Sequence, residues 1–312
     1  MRKPSAILDK SLFHQLCVHS DAEDQKRLWD ALHERYQLVV PLILIEESVV
    51  NAVAPGNRPA EQVNRLIDQV AMHHTCWLDD LYEIVFRELV RKEPVSTLPP
   101  LSEPAKAEIF GLRFEDEGLQ KWAEQRKQEA RFTHNQWKNE QKRLALTAER
   151  AALADEAKLF DVVRSEFLRA LLDATRRQDM LESIIGTCLR NRYPTESKSI
   201  DRAFAAYTPE TFTQYYATLA LLQVRLAYLF APVFTLPGPS PHMPCRYLKQ
   251  EPNNLFDSEY VTLALLCDRF LTRDEGQARM CRSFELGGFW KGKVIYIPAD
   301  QDMSKAIPDA LI

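Results

Sequence analysis

Glycine is scarce in this chain of 312 residues, at 9, and none of it forms a glycine-rich phosphate loop. There is no GxSxG and no HExxH, which removes the serine-hydrolase and zincin readings. The six cysteines stand at 17, 76, 188, 245, 267 and 281, and no two form a CxxC pair. Reduced, mostly buried thiols in a cytoplasmic protein are therefore expected. Positive charge is not in excess: the formal net charge is −4, so any nucleic-acid binding must use a local basic surface. Long apolar runs are missing as well. The stretch from Ala217 to Val233 is interrupted by Arg225 and falls short of the ~20 residues that span a bilayer, so it reads as a buried helix and no membrane contact is expected. Met1-Arg2-Lys3-Pro4 leads into a short apolar run broken by Asp9, which is not the apolar core of a signal peptide.

What is present is 46% hydrophobic and 27% charged, enough for a substantial core. Ser5-Ala6-Ile7-Leu8-Asp9 reads as a strand ending in an acid, followed by a helix from Ser11 to Cys17. Asp21 to Tyr36 carries Leu28, Leu32 and Tyr36 on one helical face. Gln37 to Pro41 is a second strand, and Leu42 to Ala52 a helix bearing Glu46 and Glu47. Asn57-Arg58-Pro59 opens another helix, and Trp77 to Lys92 reads as a further amphipathic one. Glu117 to about Arg176 is strongly helical, with a turn near Thr133-His134-Asn135 as an alternative to one long rod. Asp179 to Arg192 and Thr208 to Phe230 are helices, the latter opened by Thr208-Pro209 as cap and first residue. Prolines mark breaks at 94–104 and 236–244. A helix from Asp257 to Arg269, a strand Arg269 to Thr272 and a strand Lys293 to Ile297 close the pattern. Short apolar strands separated by helices predict an α/β fold, a parallel sheet covered on both faces. Sites in such sheets form beyond the carboxyl ends of the strands, where Asp9 and Asp274 are placed.

Taken singly, Asp9, Asp257 and Asp274 are suitable helix caps or turn residues, and Glu47 a solvated helix position. Taken together they put four carboxylates at one sheet edge. Such a cluster repels itself unless a cation neutralises it, and all-oxygen ligands suit Mg²⁺ or Mn²⁺. A pair of such ions can activate water for phosphodiester cleavage.

Three segments carry a family resemblance. Ala6-Ile7-Leu8-Asp9-Lys10-Ser11-Leu12 resembles the opening strand and acid of PIN-domain nucleases. Val39-Val40-Pro41 through Ile45-Glu46-Glu47 resembles their second strand, proline and helix-borne glutamate, and the distance from Pro41 favours Glu47 over Glu46 as the ligand. Asp257-Ser258-Glu259-Tyr260 through Leu271-Thr272-Arg273-Asp274 resembles their third acid, helix, strand and closing Thr-x-Asp. The resemblance covers roughly residues 4–52 and 253–300 and leaves the middle unexplained. It implies a Mg²⁺- or Mn²⁺-dependent endoribonuclease, of a class that includes toxins and RNA-processing enzymes, with Asp9, Glu47, Asp257 and Asp274 as metal ligands and catalytic residues. Thr272 would hydrogen-bond a carboxylate or the scissile phosphate.

The expected organisation is a discontinuous PIN-like domain, 1–93 with 247–312, interrupted by a helical insertion, 94–246. RNA is the expected partner, DNA remains open, and the insertion is a candidate surface for self-association or a protein partner. The polar segment carries Lys121, Arg126, Lys127, Arg131, Lys138, Lys142, Arg143 and Arg150 with Trp122, Phe132 and Trp137 interspersed. It reads as an RNA-gripping arm or as a solvated face, since Glu124, Glu129, Glu140 and Glu149 interleave. His73-His74 with Cys76 are expected to be structural, and His14 and His19 are candidate supports for the acids. The alternative function is a PIN-like scaffold without catalysis; a third reading is a purely helical adaptor in which the acid pattern is accidental.

Overall fold

The computed structural model describes residues 3–18, 22–52, 60–72, 76–95, 111, 117–147, 157–231, 235–236, 245–246, 254–298 and 300–301. Strand β1 (Ser5–Leu8) lies at the centre of a five-stranded sheet. It pairs in parallel with β2 (Gln37–Pro41) on one side, and β2 with β3 (Cys76–Leu78) beyond it. After the short antiparallel pair β4 (Thr235–Leu236) and β5 (Cys245–Arg246), the chain returns to the sheet. There β6 (Arg269–Thr272) pairs in parallel with the other side of β1, and β7 (Lys293–Tyr296) with β6. Ala6, Ile7 and Leu8 are successive and all buried, as are Leu38, Val39 and Val40. Successive strand side chains point to opposite faces, so both faces of the sheet are covered, as a parallel sheet requires. The helical-adaptor reading fails on this sheet.

The strand order is β3-β2-β1-β6-β7. The chain winds outward one way from β1 through β2 and β3, then comes back and winds the other way through β6 and β7. The reversal lies between β1 and β6, and the crevice outside the carboxyl ends of the strands at such a point is where open α/β sheets bind ligands.

The helices follow the apolar spacing, with instructive exceptions. Those linking the first strands are α1 (Lys10–Val18), α2 (Ala22–Arg35), α3 (Ile43–Ala52), α4 (Ala60–Met72) and α5 (Leu81–Leu89). The expected helix from Trp77 is in fact β3 followed by α5. Asp80 marks the boundary, accepting the Tyr82 N–H at 2.7 Å as N-cap. Next come α6 (Glu117–Thr147), α7 (Ala157–Leu172), α8 (Ala174–Leu181), α9 (Thr187–Arg192), α10 (Ser197–Ala205), α11 (Pro209–Phe212) and α12 (Tyr216–Phe230). Helix α6 runs unbroken through Thr133-His134-Asn135, so no turn forms there. One π-helical turn, Glu182–Gly186, joins α8 to α9. The helix expected from Thr208 to Phe230 breaks into α11, capped by Thr208 with Pro209 in its first turn, and α12. The last helices are α13 (Asn254–Leu265) and α14 (Glu275–Leu286); Asp257 lies in the first turn of α13 rather than before it. The expected caps at Asn57-Arg58, the pair His73-His74, His19 and the proline-rich segment 237–244 lie outside the described residues.

The helical middle joins the same core as the sheet. Leu159, Phe160, Val163, Phe167 and Leu171 are buried as their spacing predicts. Helix α12 packs on α13, α7 and α5, and α6 packs on α3 and α13. The expectation of an RNA-gripping arm or a solvated face is corrected for the part whose side chains are described. Ala123, Arg126, Ala130, Thr133 and Trp137 are buried along one stripe of α6, while Lys121, Arg131, Phe132 and Lys138 are exposed. An RNA-gripping arm cannot use Arg126 or Trp137, because both face the core. Among the described residues no helix is long and apolar enough to cross a membrane, and α12, with Arg225 buried inside it, is a core helix.

Candidate acidic site at the sheet switch point

Asp9 stands one residue past β1, with its N–H donating to Leu271 O at 2.9 Å. The register pairs Leu8 with Leu271, so Asp9 meets Thr272, the last residue of β6. Its carboxylate ties the two strand ends together. Oδ2 accepts from the Thr272 hydroxyl, from the Arg273 N–H at 2.9 Å and from the Asp274 N–H at 3.3 Å. Oδ1 accepts from the Leu12 N–H at 2.6 Å and so caps α1. Asp274 caps α14 in the same way, accepting the Gln277 N–H at 2.8 Å. The Gln277 amide Nε2 reaches across to Asp257 Oδ1 at 2.8 Å, linking α14 to α13. Glu47 is buried on α3, and its Oε1 accepts from the ammonium of Lys10, the first residue of α1.

The capping roles are therefore real for Asp9 and Asp274, and these two residues adjoin. Burial raises the Asp9 carboxyl above its ordinary range. Thr272 and the N–H groups of Leu12 and Arg273 oppose this, and the charge of Asp274 adds to it. Asp257 is pushed well above the usual carboxylate range by burial first, then by the negative charges of Asp274 and Glu47; Gln277 and Lys10 pull it back. Tyr260, one turn along α13 and fully buried, has its hydroxyl pushed far up by burial and by Glu47, Asp9 and Asp257. Asp274 thus stands within electrostatic reach of Asp9 and of Asp257, and Glu47 of Asp257.

Glu46 points elsewhere. Its Oε2 accepts from Arg126 Nε at 2.9 Å, and its Oε1 lies 3.5 Å from Arg192 Nη2. Arg126, buried on α6, also holds Glu129 Oε2 through Nη1 and Glu259 Oε2 through Nη2, both at 2.7 Å. Glu259 Oε1 in turn accepts from Tyr82 Oη at 2.8 Å and lies 3.2 Å from Arg225 Nη2. Arg126, Arg192 and Arg225 all lie within 6 Å of the Tyr82 ring centre, close enough for cation–π attraction. Glu46 thus fastens the helical middle to the sheet domain, and Glu47 faces the acids. Sequence reading missed this network because it joins residues far apart in the chain. It also missed Lys10, Gln277 and Tyr260 at the acidic site, although each lies close in sequence to one of the four acids.

The donors suit a hard divalent cation in kind, being carboxylate oxygens in a site with surplus negative charge. In position they are committed to protein partners, and the described residues contain no group of three or more His, Cys, Asp or Glu side chains arranged to hold a metal ion. Compared with protein-family profiles, with curated proteins and with solved structures, the chain matches none.

Proposed function

We propose that this protein is a PIN-like, metal-dependent endoribonuclease with Asp9, Glu47, Asp257 and Asp274 as its ligand set. The supporting observation is Asp257. Its carboxyl is driven toward the protonated form by burial first and then by the charges of Asp274 and Glu47, and added positive charge would oppose both. Bound Mg²⁺ or Mn²⁺ would supply that charge and lower the pKa of a water so that it attacks a phosphodiester near neutral pH. The chain's own residues set the frame for this chemistry. Thr272 and the N–H groups of Arg273 and Asp274 hold the Asp9 carboxylate against rotation, and Gln277 orients Asp257. Lys10 sits at Glu47, and in this reading its ammonium would turn toward a phosphate oxygen.

One observation favours the scaffold reading. Lys10 already pairs Glu47, which leaves the cluster partly compensated without a metal. The two readings separate in one assay. Purified protein is incubated with single-stranded and structured RNA, with Mn²⁺ or Mg²⁺ and with EDTA. Cleavage that needs the metal and is lost in Asp257→Asn and Asp9→Asn supports the nuclease. Wild-type protein that leaves every RNA intact supports the scaffold.

A further inference from the structure

The chain supplies one cation to the acids itself. Lys10, the first residue of α1, sets its ammonium on Glu47 Oε1. Its charge also draws the Asp257 carboxyl down, against burial and the charges of Asp274 and Glu47. One ammonium thus serves an acid on α3 and an acid on α13. The Lys10 and Glu47 side chains are only 14% and 10% exposed, so this pair has given up most of its water. The centre is not sealed, since Asp274 is exposed and Asp257 half-buried. Two buried polar atoms beside Asp257 have no hydrogen-bond partner. One is Tyr260 Oη, on the fully buried residue three positions along α13. The other is Gln277 Oε1, although the Nε2 of the same amide holds Asp257. Unpaired buried polar atoms are costly, so the centre is closed around the ammonium without being completed by it.

We propose that Lys10 is a built-in counter-cation that competes with the divalent ion for Glu47 and leaves it for a phosphate of bound RNA, so that RNA and metal promote each other's binding. A divalent cation at Glu47 and an ammonium on the same carboxylate repel each other, so each weakens the hold of the other. Lysine suits an exchange of this kind, because its charge is compact and sits on a flexible four-carbon stem. The stem can swing while α1 stays in place, since the Asp9 carboxylate fixes the start of that helix through the Leu12 N–H. Phosphate is the anion that the substrate brings, and it accepts the ammonium that Glu47 gives up. The exchange therefore frees a carboxylate for the cation without leaving Lys10 unpaired. By linkage, the factor by which RNA tightens the metal equals the factor by which the metal tightens RNA. The inference deepens the nuclease reading and rests on it for the metal and the phosphate, but not for cleavage.

The test is calorimetric titration of the full chain with Mn²⁺ alone, as wild type, Lys10→Gln and Lys10→Arg. Glutamine keeps a donor for Glu47 and removes the charge, whereas arginine keeps the charge. Lys10→Gln should bind Mn²⁺ roughly tenfold tighter or more, and Lys10→Arg no tighter than wild type. Melting in EDTA checks that both variants fold. A second measurement needs only the wild type: acetylation of Lys10 by an amine-reactive ester, read by peptide mass spectrometry. Mn²⁺ should raise Lys10 labelling about threefold or more, as the amine leaves Glu47. A short phosphorothioate oligouridine added with the Mn²⁺ should lower it again. The inference is overturned by Mn²⁺ binding that Lys10→Gln does not tighten, by an equal gain in Lys10→Arg, or by no Mn²⁺ binding at all. Labelling that Mn²⁺ does not raise, or that the oligomer does not lower, overturns it as well. RNA cleavage is scored separately. Tighter Mn²⁺ binding in Lys10→Gln without cleavage by the wild type removes the nuclease reading and keeps the exchange. Metal-dependent cleavage with equal Mn²⁺ binding in the two proteins does the reverse.

Discussion

Arg126→Met tests what fastens the helical middle to the sheet. Methionine roughly keeps the aliphatic bulk and removes the charge and three donors. In the native protein Arg126 is 1% exposed and faces Glu46, Glu129 and Glu259. After substitution Glu259 keeps Tyr82 and Arg225 and Glu46 keeps Arg192, while Glu129 loses the partner of its Oε2. Removing one partner of a buried ionic group costs about 3–5 kcal/mol, because the remaining charge stays buried. Unfolding entropy of ~2.1 cal/mol/K per residue over 312 residues converts this to a melting-temperature loss of about 5–8 °C. The pH dependence sharpens the test. The Glu46 carboxyl is pushed up to about 7, by burial first, then by Asp80 and Glu259, against the pull of Arg126 and Arg192. A carboxyl raised in the folded state penalises folding above that pKa, and the penalty fades as pH falls from there toward the unfolded value. Losing Arg126 raises Glu46 further, so the deficit of the variant should be largest near about pH 8 and shrink toward about pH 5. Urea denaturation followed by circular dichroism at both pH values measures it. A cost under about 1 kcal/mol, or one independent of pH, would refute the view that this charge network is a buried tie.

Asp257→Asn should abolish metal-dependent RNA cleavage while leaving the melting temperature of the metal-free protein level or higher. Its folded carboxyl is raised, so any gain belongs at high pH and vanishes as pH falls through the folded pKa and the wild type takes up its proton; a lower melting temperature at pH 8 would contradict the repulsion. Lys10→Met strips Glu47 of its ammonium and should destabilise by about 1.5–3 kcal/mol, the range for a hydrogen bond to a charged group, read by chemical denaturation; a neutral effect would mean that the pair is fully solvated. Deleting Gln120 to Arg150 with a short closing linker should now unfold the protein, since Ala123, Arg126, Ala130 and Trp137 belong to the core; a cooperative melt retained by the deletion would restore the projecting arm.

Sequence alone determined the sheet strands that carry the site. β1, β2, β6 and β7 are short apolar runs, and period and composition suffice to find them. It also placed Asp9 and Asp274 at strand ends, because an acid closing an apolar run can lie only at the strand's exit. Strand β3 was hidden: its three residues, Cys76-Trp77-Leu78, merge into the apolar face of the helix that follows, and a segment that short has no period of its own. The buried stripe of α6 was also hidden. Its positions 123, 126, 130, 133 and 137 alternate in steps of three and four, as a packing face does, but Arg126 and Thr133 occupy two of them and make the helix look solvated. A buried arginine is legible only once its carboxylates are known, and Glu46 and Glu259 lie 80 and 133 residues away. The division of labour between Glu46 and Glu47 was likewise a tertiary decision. Adjacent helix residues point about 100° apart, so one meets Arg126 and the other Lys10, and which does which depends on where α6 and α1 are packed.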